Sequence, residues 1–138
     1  ASPLEEQPVF VGGPVQQNYV FALHNGIPEQ YRSPHCEQPG GGVFFEPSFQ
    51  HVIDYVRSED FGTAAPGEQP SIKVLAGYSG WGPGQLEDEL REEAWFLNPA
   101  SADVIFETGP AEGWKEALSR KGGFYRIVAQ TGFKPSNN

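Results

Sequence analysis

The sequence predicts an α+β fold with a mixed or antiparallel sheet and about three flanking helices, since short apolar runs alternate with amphipathic helical segments. Its 138 residues include 17 glycines and 13 prolines, a composition typical of turn-rich folds. This length suits one domain, so we expect residues 1–138 to form a single domain. With 13% aromatic residues and no methionine, aromatic side chains are expected to dominate the core.

Apolar runs bounded by glycine, proline or polar residues predict the strands. The first two, joined by Gly12-Gly13-Pro14, are expected to form a hairpin, and the run ending at Tyr78 is the strongest strand signal, placed at the centre of the sheet. The predicted strands are Val9 to Val11, Tyr19 to His24, Val43 to Phe45, Ile72 to Tyr78 and Ala94 to Leu97. Residues 104–106 are a further short apolar piece, and residues 124–129 a strand or an extended arm.

Three segments show helical spacing of apolar residues. Residues 48–57 place Phe49, Val52, Ile53 and Val56 on one face. The segment after Pro83 places Leu86 and Leu90 together, and residues 112–120 place Trp114, Ala117 and Leu118 inward. Residues 25–42 and 59–69 lack such patterns and are expected to be surface loops.

Charge and hydropathy argue against nucleic acid and membranes as partners. Nine basic and eighteen acidic residues give a net charge of −9, which repels nucleic acid and anionic lipid at long range. No apolar run approaches the roughly 20 residues that span a bilayer. We therefore expect protein partners, no nucleic acid and no membrane insertion. A single cysteine, Cys36, excludes an internal disulfide.

The glycine-rich stretch from Gly77 to Leu90 carries the chain from an apolar strand into an acidic helix. Backbone N–H groups at a helix start can bind phosphate, but Pro83 removes a donor and Glu87 and Asp88 add negative charge. No lysine completes a phosphate loop, and the pattern is not the dinucleotide fingerprint. A tight structural turn is the favoured interpretation.

No catalytic constellation is evident. Consecutive carboxylates at positions 87–89 point in different directions around a helix, and Ser79 does not occupy a nucleophile elbow. The adjacent pair His35-Cys36 lacks zinc-ligand spacing, and His24 at a strand end is expected to satisfy backbone groups. We predict no catalytic residue, metal or cofactor. The candidates for ligand or partner binding are Tyr78, Ser79, Trp81, Gln85 and Glu87.

Two of these features leave alternatives open. Trp95, in a predicted strand, is expected in the core, whereas Trp81 in the glycine turn suits either the core or an interface. A pocket lined by Ser79, Gln85, Glu87 and His24 would favour a small-molecule-binding or hydrolytic enzyme. A closely packed turn would favour a scaffold protein.

Several blocks resemble the YqgE/AlgH family: Phe10 to Val15, Phe21 to His24, Gly77 to Leu90, Trp95, and Trp114 with Ala117-Leu118. The likeness covers roughly residues 8–123, and the run from Gly77 to Glu87 is its most specific part. The resemblance implies a curved sheet with helices outside, and no established catalytic activity. Family members carry strands before the Gly-Gly-Pro block that have no counterpart here, so we expect these strands to be absent from the structure or replaced by a partner chain.

The functional expectation is a noncatalytic accessory or scaffold protein that docks on a larger assembly. Residues 102–105 and 122–125 look closer to plastid-type members, which favours a processed plastid protein over a bacterial cytoplasmic one, with the periphery of a photosynthetic complex as one setting. The alternatives are a small-molecule-binding or hydrolytic enzyme at the Gly77 to Leu90 turn, and a transcriptional regulator, which the family label implies and the charge disfavours.

Overall fold

The computed structural model describes residues 7–122, which divide into two compact units, one ending at Ser79 and the other beginning at Gly80. The first unit contains β1 (Val9–Val11), β2 (Val15–His24), β3 (Glu37–Gly40), β4 (Val43–Glu46), α1 (Phe49–Val56), α2 (Glu59–Thr63) and β5 (Ile72–Tyr78). The second contains α3 (Gln85–Arg91), α4 (Ala102–Glu107) and α5 (Pro110–Lys121). The α+β class is confirmed, with five short helices where about three were expected. A single domain over residues 1–138 stays a prediction.

The five strands form one mixed sheet in the order β1-β5-β2-β4-β3. β5 is not at the predicted centre of the sheet, which β2 occupies, but lies second from one edge, where it pairs in parallel with β1 and antiparallel with β2. The predicted hairpin of β1 and β2 is therefore wrong, because β5 lies between them. The Gly-Gly-Pro segment reverses the direction of the chain by crossing the end of β5, so that Val11 is level with Ala76 and Val15 with Tyr78.

Glycine is required where the chain crosses the end of β5. A Cβ atom on Gly13 would lie 2.3 Å from the carbonyl carbon of Tyr78, and one on Gly12 would lie 2.3 Å from the carbonyl oxygen of Gly77. Gly77 itself has a φ of 82°, which favours glycine. The Gly-Gly-Pro block and the start of the Gly77 to Leu90 block thus meet at a backbone crossing that leaves no room for side chains.

The core of the first unit is mainly aliphatic. Ala22 of β2, Ile27 and the α1 residues Val52, Tyr55 and Val56 form the buried cluster, with partly buried hydrophobic side chains around it. The expected aromatic core is wrong for the described residues, where Tyr55 is the one buried aromatic side chain. Tyr31, Phe49 and Phe61 pack against this cluster while partly exposed.

Two predicted loops contain short elements. Residues 25–42 include a 3₁₀ turn at Glu29–Tyr31 and β3, an edge strand that pairs with β4. Residues 59–69 include α2, which begins after Ser58, whose hydroxyl accepts a hydrogen bond from the Phe61 N–H. Such short elements depend on tertiary contacts and lack the periodicity that reveals longer ones.

The second unit is helical over its described residues, and the strand predicted at residues 94–97 is wrong. Glu93, two residues after the end of α3, lies in the left-handed region with a φ of 60°, and the Ala94 N–H donates a hydrogen bond back to the Glu89 carbonyl. No strand lies in residues 80–122 to pair with this segment. Residues 104–106 belong to α4, and the segment 124–129 falls outside the described residues.

The predicted helix at residues 112–120 is confirmed as α5, but only part of its predicted inward face is buried. Leu118 is buried, whereas Trp114 is 44% exposed. Among residues 7–122, no helix has the length and apolarity needed to cross a membrane.

Candidate functional site

The turn before α3 is closed by the side chain of Gln85. Its Oε1 accepts a hydrogen bond of 3.0 Å from the Gly82 N–H, while the Gln85 N–H donates to the Gly82 carbonyl at 3.0 Å. Gly84 precedes the helix with a φ of 77°, a conformation open to glycine. The glycine-rich sequence therefore forms a tight helix entry, with Gln85 serving both the turn and the first helical turn.

Glu89, one turn after Gln85, joins two tryptophans. Its Oε2 accepts hydrogen bonds from the indole N–H groups of Trp81 at 3.0 Å and Trp95 at 2.6 Å. Its Oε1 accepts one of 3.0 Å from Gln85 Nε2. We call Trp81, Gln85, Glu89 and Trp95 the tryptophan–carboxylate cluster.

The two indole rings are exposed although they are ordered by these bonds. Trp81 is 38% exposed and Trp95 47%, and their rings meet edge to face with centroids 5.6 Å apart. The expected core position of Trp95 is wrong, because the segment that carries it is not a strand. Trp81, whose environment the sequence left open, lies at the surface of its unit.

The same hydrogen bonds favour the ionised form of Glu89. The bond from Trp81, followed by those from Trp95 and Gln85, holds the pKa of the Glu89 carboxyl below its usual value. Each donor stabilises the ionised form, which is the form that can accept them all. The cluster therefore carries a permanent negative charge near neutral pH.

The sequence around this cluster, on α3 and just after it, contains further carboxylates. Arg91 is the single basic residue of the segment 85–95 and forms an ion pair with Asp88. Glu87, Glu92 and Glu93 are exposed. The surface thus combines two ordered aromatic rings with a strongly acidic helix.

The five predicted site residues do not form one group. Trp81 and Gln85 belong to the cluster, while Glu87 is exposed on α3 outside its hydrogen bonds. Tyr78 ends β5, where its ring contacts Tyr19 edge to face, and the half-buried Ser79 follows it. Sequence reasoning missed Glu89 as the organising residue, although the i, i+4 spacing of Gln85 and Glu89 could have indicated it.

The pocket considered for an enzyme does not form around Ser79 and His24. His24 pairs with Ile72 at the start of β5, whereas Ser79 follows the last residue of that strand. At about 3.3 Å per strand residue, the two side chains lie at opposite ends, on the order of 20 Å apart. Ser79 therefore has no support from this histidine for nucleophilic chemistry.

A second polar cluster, in the first unit, consists of His24, Cys36 and Glu46. A ring nitrogen of His24, the sulfur of Cys36 and a carboxylate oxygen of Glu46 lie within 4.8 Å of one another. The Glu46 carboxylate accepts hydrogen bonds from the backbone N–H groups of Ser33 at 2.9 Å and Ser48 at 3.0 Å, and from the Ser33 hydroxyl. Sequence reasoning missed this group, because its members lie far apart in the sequence, at the end of β2, before β3 and at the end of β4.

His24 is oriented by backbone donors, as expected. Its Nδ1 accepts hydrogen bonds from the N–H groups of Ile27 at 3.0 Å and Gly26 at 3.2 Å, which assigns the proton of the neutral ring to Nε2. Burial, followed by the charge of Arg32, lowers the pKa of His24 to about 4. The ring is thus neutral near pH 7, with its Nε2 4.0 Å from the Cys36 sulfur.

This arrangement suits a hydrogen-bonded cluster better than a metal centre. A metal ligand histidine normally donates its second N–H, whereas Nδ1 here is an acceptor and the free nitrogen carries the proton. Burial, then the charge of Glu46, raises the pKa of the Cys36 thiol, so the thiolate that binds zinc is disfavoured. Burial alone would raise the pKa of Glu46, but the bonds from Ser33 and Ser48 outweigh it and lower that pKa.

Two pockets of similar size accompany these features, one in each unit. A pocket of about 410 Å³ adjoins Cys36 and is lined by Glu29, Arg32, Ser33, Pro34, Cys36, Glu37, Gln38 and Phe44. An apolar hollow of about 440 Å³ in the second unit is lined by Asn98, Pro99, Ala100, Ser101, Val104, Ile105, Ala117 and Arg120. Neither contains a predicted site residue.

Comparison with known proteins extends over most of the chain. A family model described as AlgH-like matches residues 1–126. A UPF0301 protein of Nitrosococcus oceani is 36% identical over 117 residues, covering 85% of this chain and 57% of that protein. A UPF0301 protein of Chlorobium limicola is 32% identical over 139 residues, and the match covers 96% of this chain and 66% of the Chlorobium protein.

Solved structures show the same fold. The AlgH protein from Pseudomonas aeruginosa matches with a TM-score of 0.64 and 26% identity, over 95% of this chain and 62% of that one. A protein from Corynebacterium diphtheriae matches with a TM-score of 0.67 and 19% identity, over 89% of this chain and 60% of its own. The chain thus spans 57% of the Nitrosococcus relative and about three fifths of each solved structure.

Proposed function

This chain belongs to the AlgH-like family, and from that premise we propose that it is a noncatalytic accessory protein that docks on a larger protein assembly through the tryptophan–carboxylate cluster. The observation that carries the proposal is the shared acceptor. One oxygen of Glu89 holds both indole N–H groups while both rings stay exposed.

Ordered, exposed tryptophans favour binding for two physical reasons. Each indole offers a large apolar area, and tryptophan is enriched among the residues that contribute most to interface affinity. Holding the rings before binding reduces the side-chain entropy lost on association, commonly about 0.5–1.5 kcal/mol for an immobilised side chain. A pre-ordered pair therefore suits a partner surface better than two freely rotating rings.

The bonding of Glu89 also supports a docking role over acid–base chemistry. Both carboxylate oxygens already accept hydrogen bonds from the chain, and these bonds lower the pKa of the group. A general acid or base works best with a pKa close to the operating pH, which this environment opposes.

The direct test uses affinity-tagged protein as bait in an extract of the source cells. The chains of interest are those that the wild-type protein retains in a saturable manner, identified by quantitative mass spectrometry. We expect the Trp81→Ala and Trp95→Ala variants to lose these chains. The loss should be at least tenfold, since truncation of an anchoring tryptophan commonly costs about 2 kcal/mol or more.

Trp114→Ala supplies the matched control, because Trp114 has a similar exposure and lies on α5 outside the cluster. This variant should retain the bound chains. Equal retention by all four proteins, with circular dichroism spectra showing that each is folded, would contradict docking through the cluster.

The setting we propose for this docking is the periphery of a photosynthetic complex in a plastid. Its support is the likeness of residues 102–105 and 122–125 to plastid-type family members. Immunodetection in purified plastid and cytosolic fractions of the source organism tests it. Enrichment with plastid markers is expected, and recovery with cytosolic markers alone would exclude the setting.

A further inference from the structure

We infer that the partner places an arginine side chain on the tryptophan–carboxylate cluster, with the guanidinium group against the indole rings and the neighbouring carboxylates. This inference rests on the proposed docking function and specifies the chemistry of the partner. It is carried by the charge around the cluster, the aromatic surface and the conformation of Glu93.

The charge around the cluster is strongly one-sided. The segment 85–95 contains five carboxylates and one guanidinium group, and the ion pair with Asp88 already engages that group, which belongs to Arg91. Among the residues that the structure describes, Glu87, Glu92 and Glu93 form no ion pair. A cationic partner group at the cluster would therefore meet the Glu89 carboxylate beside two exposed indoles, on a segment with further carboxylates that form no ion pair among the described residues.

The aromatic pair favours arginine over other cations. A guanidinium group is planar and weakly hydrated, so it stacks on an indole face while its edge donates to carboxylates. An ammonium group is more strongly hydrated and lacks the planar fork. An arginine also packs over an aromatic ring within the first unit, where the guanidinium carbon of Arg32 lies 4.2 Å from the centroid of Phe44.

Glu93 holds a carboxylate where glycine would be less strained. Its N–H bonds to the Leu90 carbonyl, and its left-handed φ of 60° occupies the position at which glycine most often ends a helix. A nonglycine residue is strained in this region, because its Cβ crowds the following carbonyl oxygen. The chain thus accepts strain at a position that keeps negative charge two residues before Trp95.

These features select a protein partner. The phosphate groups of nucleic acid and of anionic lipid would be repelled by this segment and by the net charge of −9. A second copy of this chain would bring a similarly acidic surface. A basic segment of another protein satisfies both the charge and the exposed rings.

The test is a fluorescence titration of the full chain in a Trp114→Phe background, which leaves the cluster as the only source of tryptophan emission. The probe is a capped six-residue peptide of alternating arginine and glycine. Matched peptides replace arginine with lysine, with uncharged citrulline or with glutamate. We expect saturable binding of the arginine peptide, several-fold weaker binding of the lysine peptide, and no binding of the other two.

Two variants separate specific binding from general attraction between charges. Glu93→Asn removes the charge but keeps a residue that tolerates the left-handed region, so binding should weaken about threefold or more without loss of folding stability. Trp81→Ala should abolish binding. In the Trp114→Phe protein, raising salt from 50 to 200 mM should weaken binding several-fold.

Equal binding of the citrulline peptide, or unchanged binding by Glu93→Asn, would overturn the inference. So would tight binding of duplex DNA or anionic phospholipid vesicles, or self-association that Trp81→Ala abolishes. If the bait variants still lose their partner chains in any of these cases, the docking function stands and only the arginine assignment fails. If bait retention is also independent of the cluster, both fail.

Discussion

Glu89 and His24 are two side chains whose surroundings favour different charge states, ionised for Glu89 and neutral for His24. Indole and amide donors keep Glu89 ionised at the surface, whereas burial and Arg32 keep His24 neutral in the interior. The sequence predicted that His24 would serve backbone groups, because a strand end leaves such groups unpaired. It did not predict the role of Glu89, since the bonds depend on a turn that brings Trp95 back toward α3.

His24 makes folding stability depend on pH. Its folded pKa of about 4 lies below the unfolded value of 6.5, so the unfolded chain binds the additional proton in this interval. Stability contributed by the neutral ring should be complete above pH 6.5 and fall as pH drops toward 4, by at most about 1.4 kcal/mol per pH unit. Urea unfolding at pH 4–7 measures this slope.

His24→Asn is the matched variant for that measurement. Its side-chain oxygen can accept the backbone N–H bonds that Nδ1 accepts, but it does not titrate. We expect a smaller slope than in the wild-type protein. Parallel slopes for the two proteins between pH 4 and 6.5 would show that His24 is not the responsible group.

At the scale of elements, short apolar runs identified β1, β4 and β5, and helical periodicity identified α1 and α5. Pairing could not be predicted in the same way. The Gly-Gly-Pro segment has the composition of a hairpin turn, yet it crosses the end of β5. Glycine permits this crossing, because the two backbones come too close to leave room for a side chain. The apolar run from Ala94 to Leu97 does not form a strand, because a strand also requires a neighbouring strand with which to pair, and residues 80–122 contain none.

The crossing predicts a large effect from a single methyl group. Gly13→Ala would place Cβ against the Tyr78 backbone, which cannot rotate away as a side chain could. We expect a loss of about 1–3 kcal/mol in the free energy of unfolding. Gly80→Ala is the control, because its Cβ would meet open space. Similar stability of the two variants in denaturant titrations would refute the steric account of this glycine.

For the whole molecule, the alternation of apolar runs with amphipathic segments predicted the fold class, while the family blocks predicted the architecture. The family match covers residues 1–126, and the solved relatives share the fold. Composition failed for the core, where exposed rings outnumber buried ones among the described residues, with all three tryptophans at the surface. Burial depends on which layers meet, a property that residue counts do not contain.

The central claim is that the tryptophan–carboxylate cluster joins this protein to a larger assembly. Its most direct test is the native size of the protein in an extract of the source cells, measured for the wild type and for Glu89→Ala. Glu112→Ala serves as the control, because it removes the same charge from an exposed position on α5. We predict that the wild type and Glu112→Ala migrate with the assembly while Glu89→Ala migrates as the free protein. Identical migration of all three would contradict the claim.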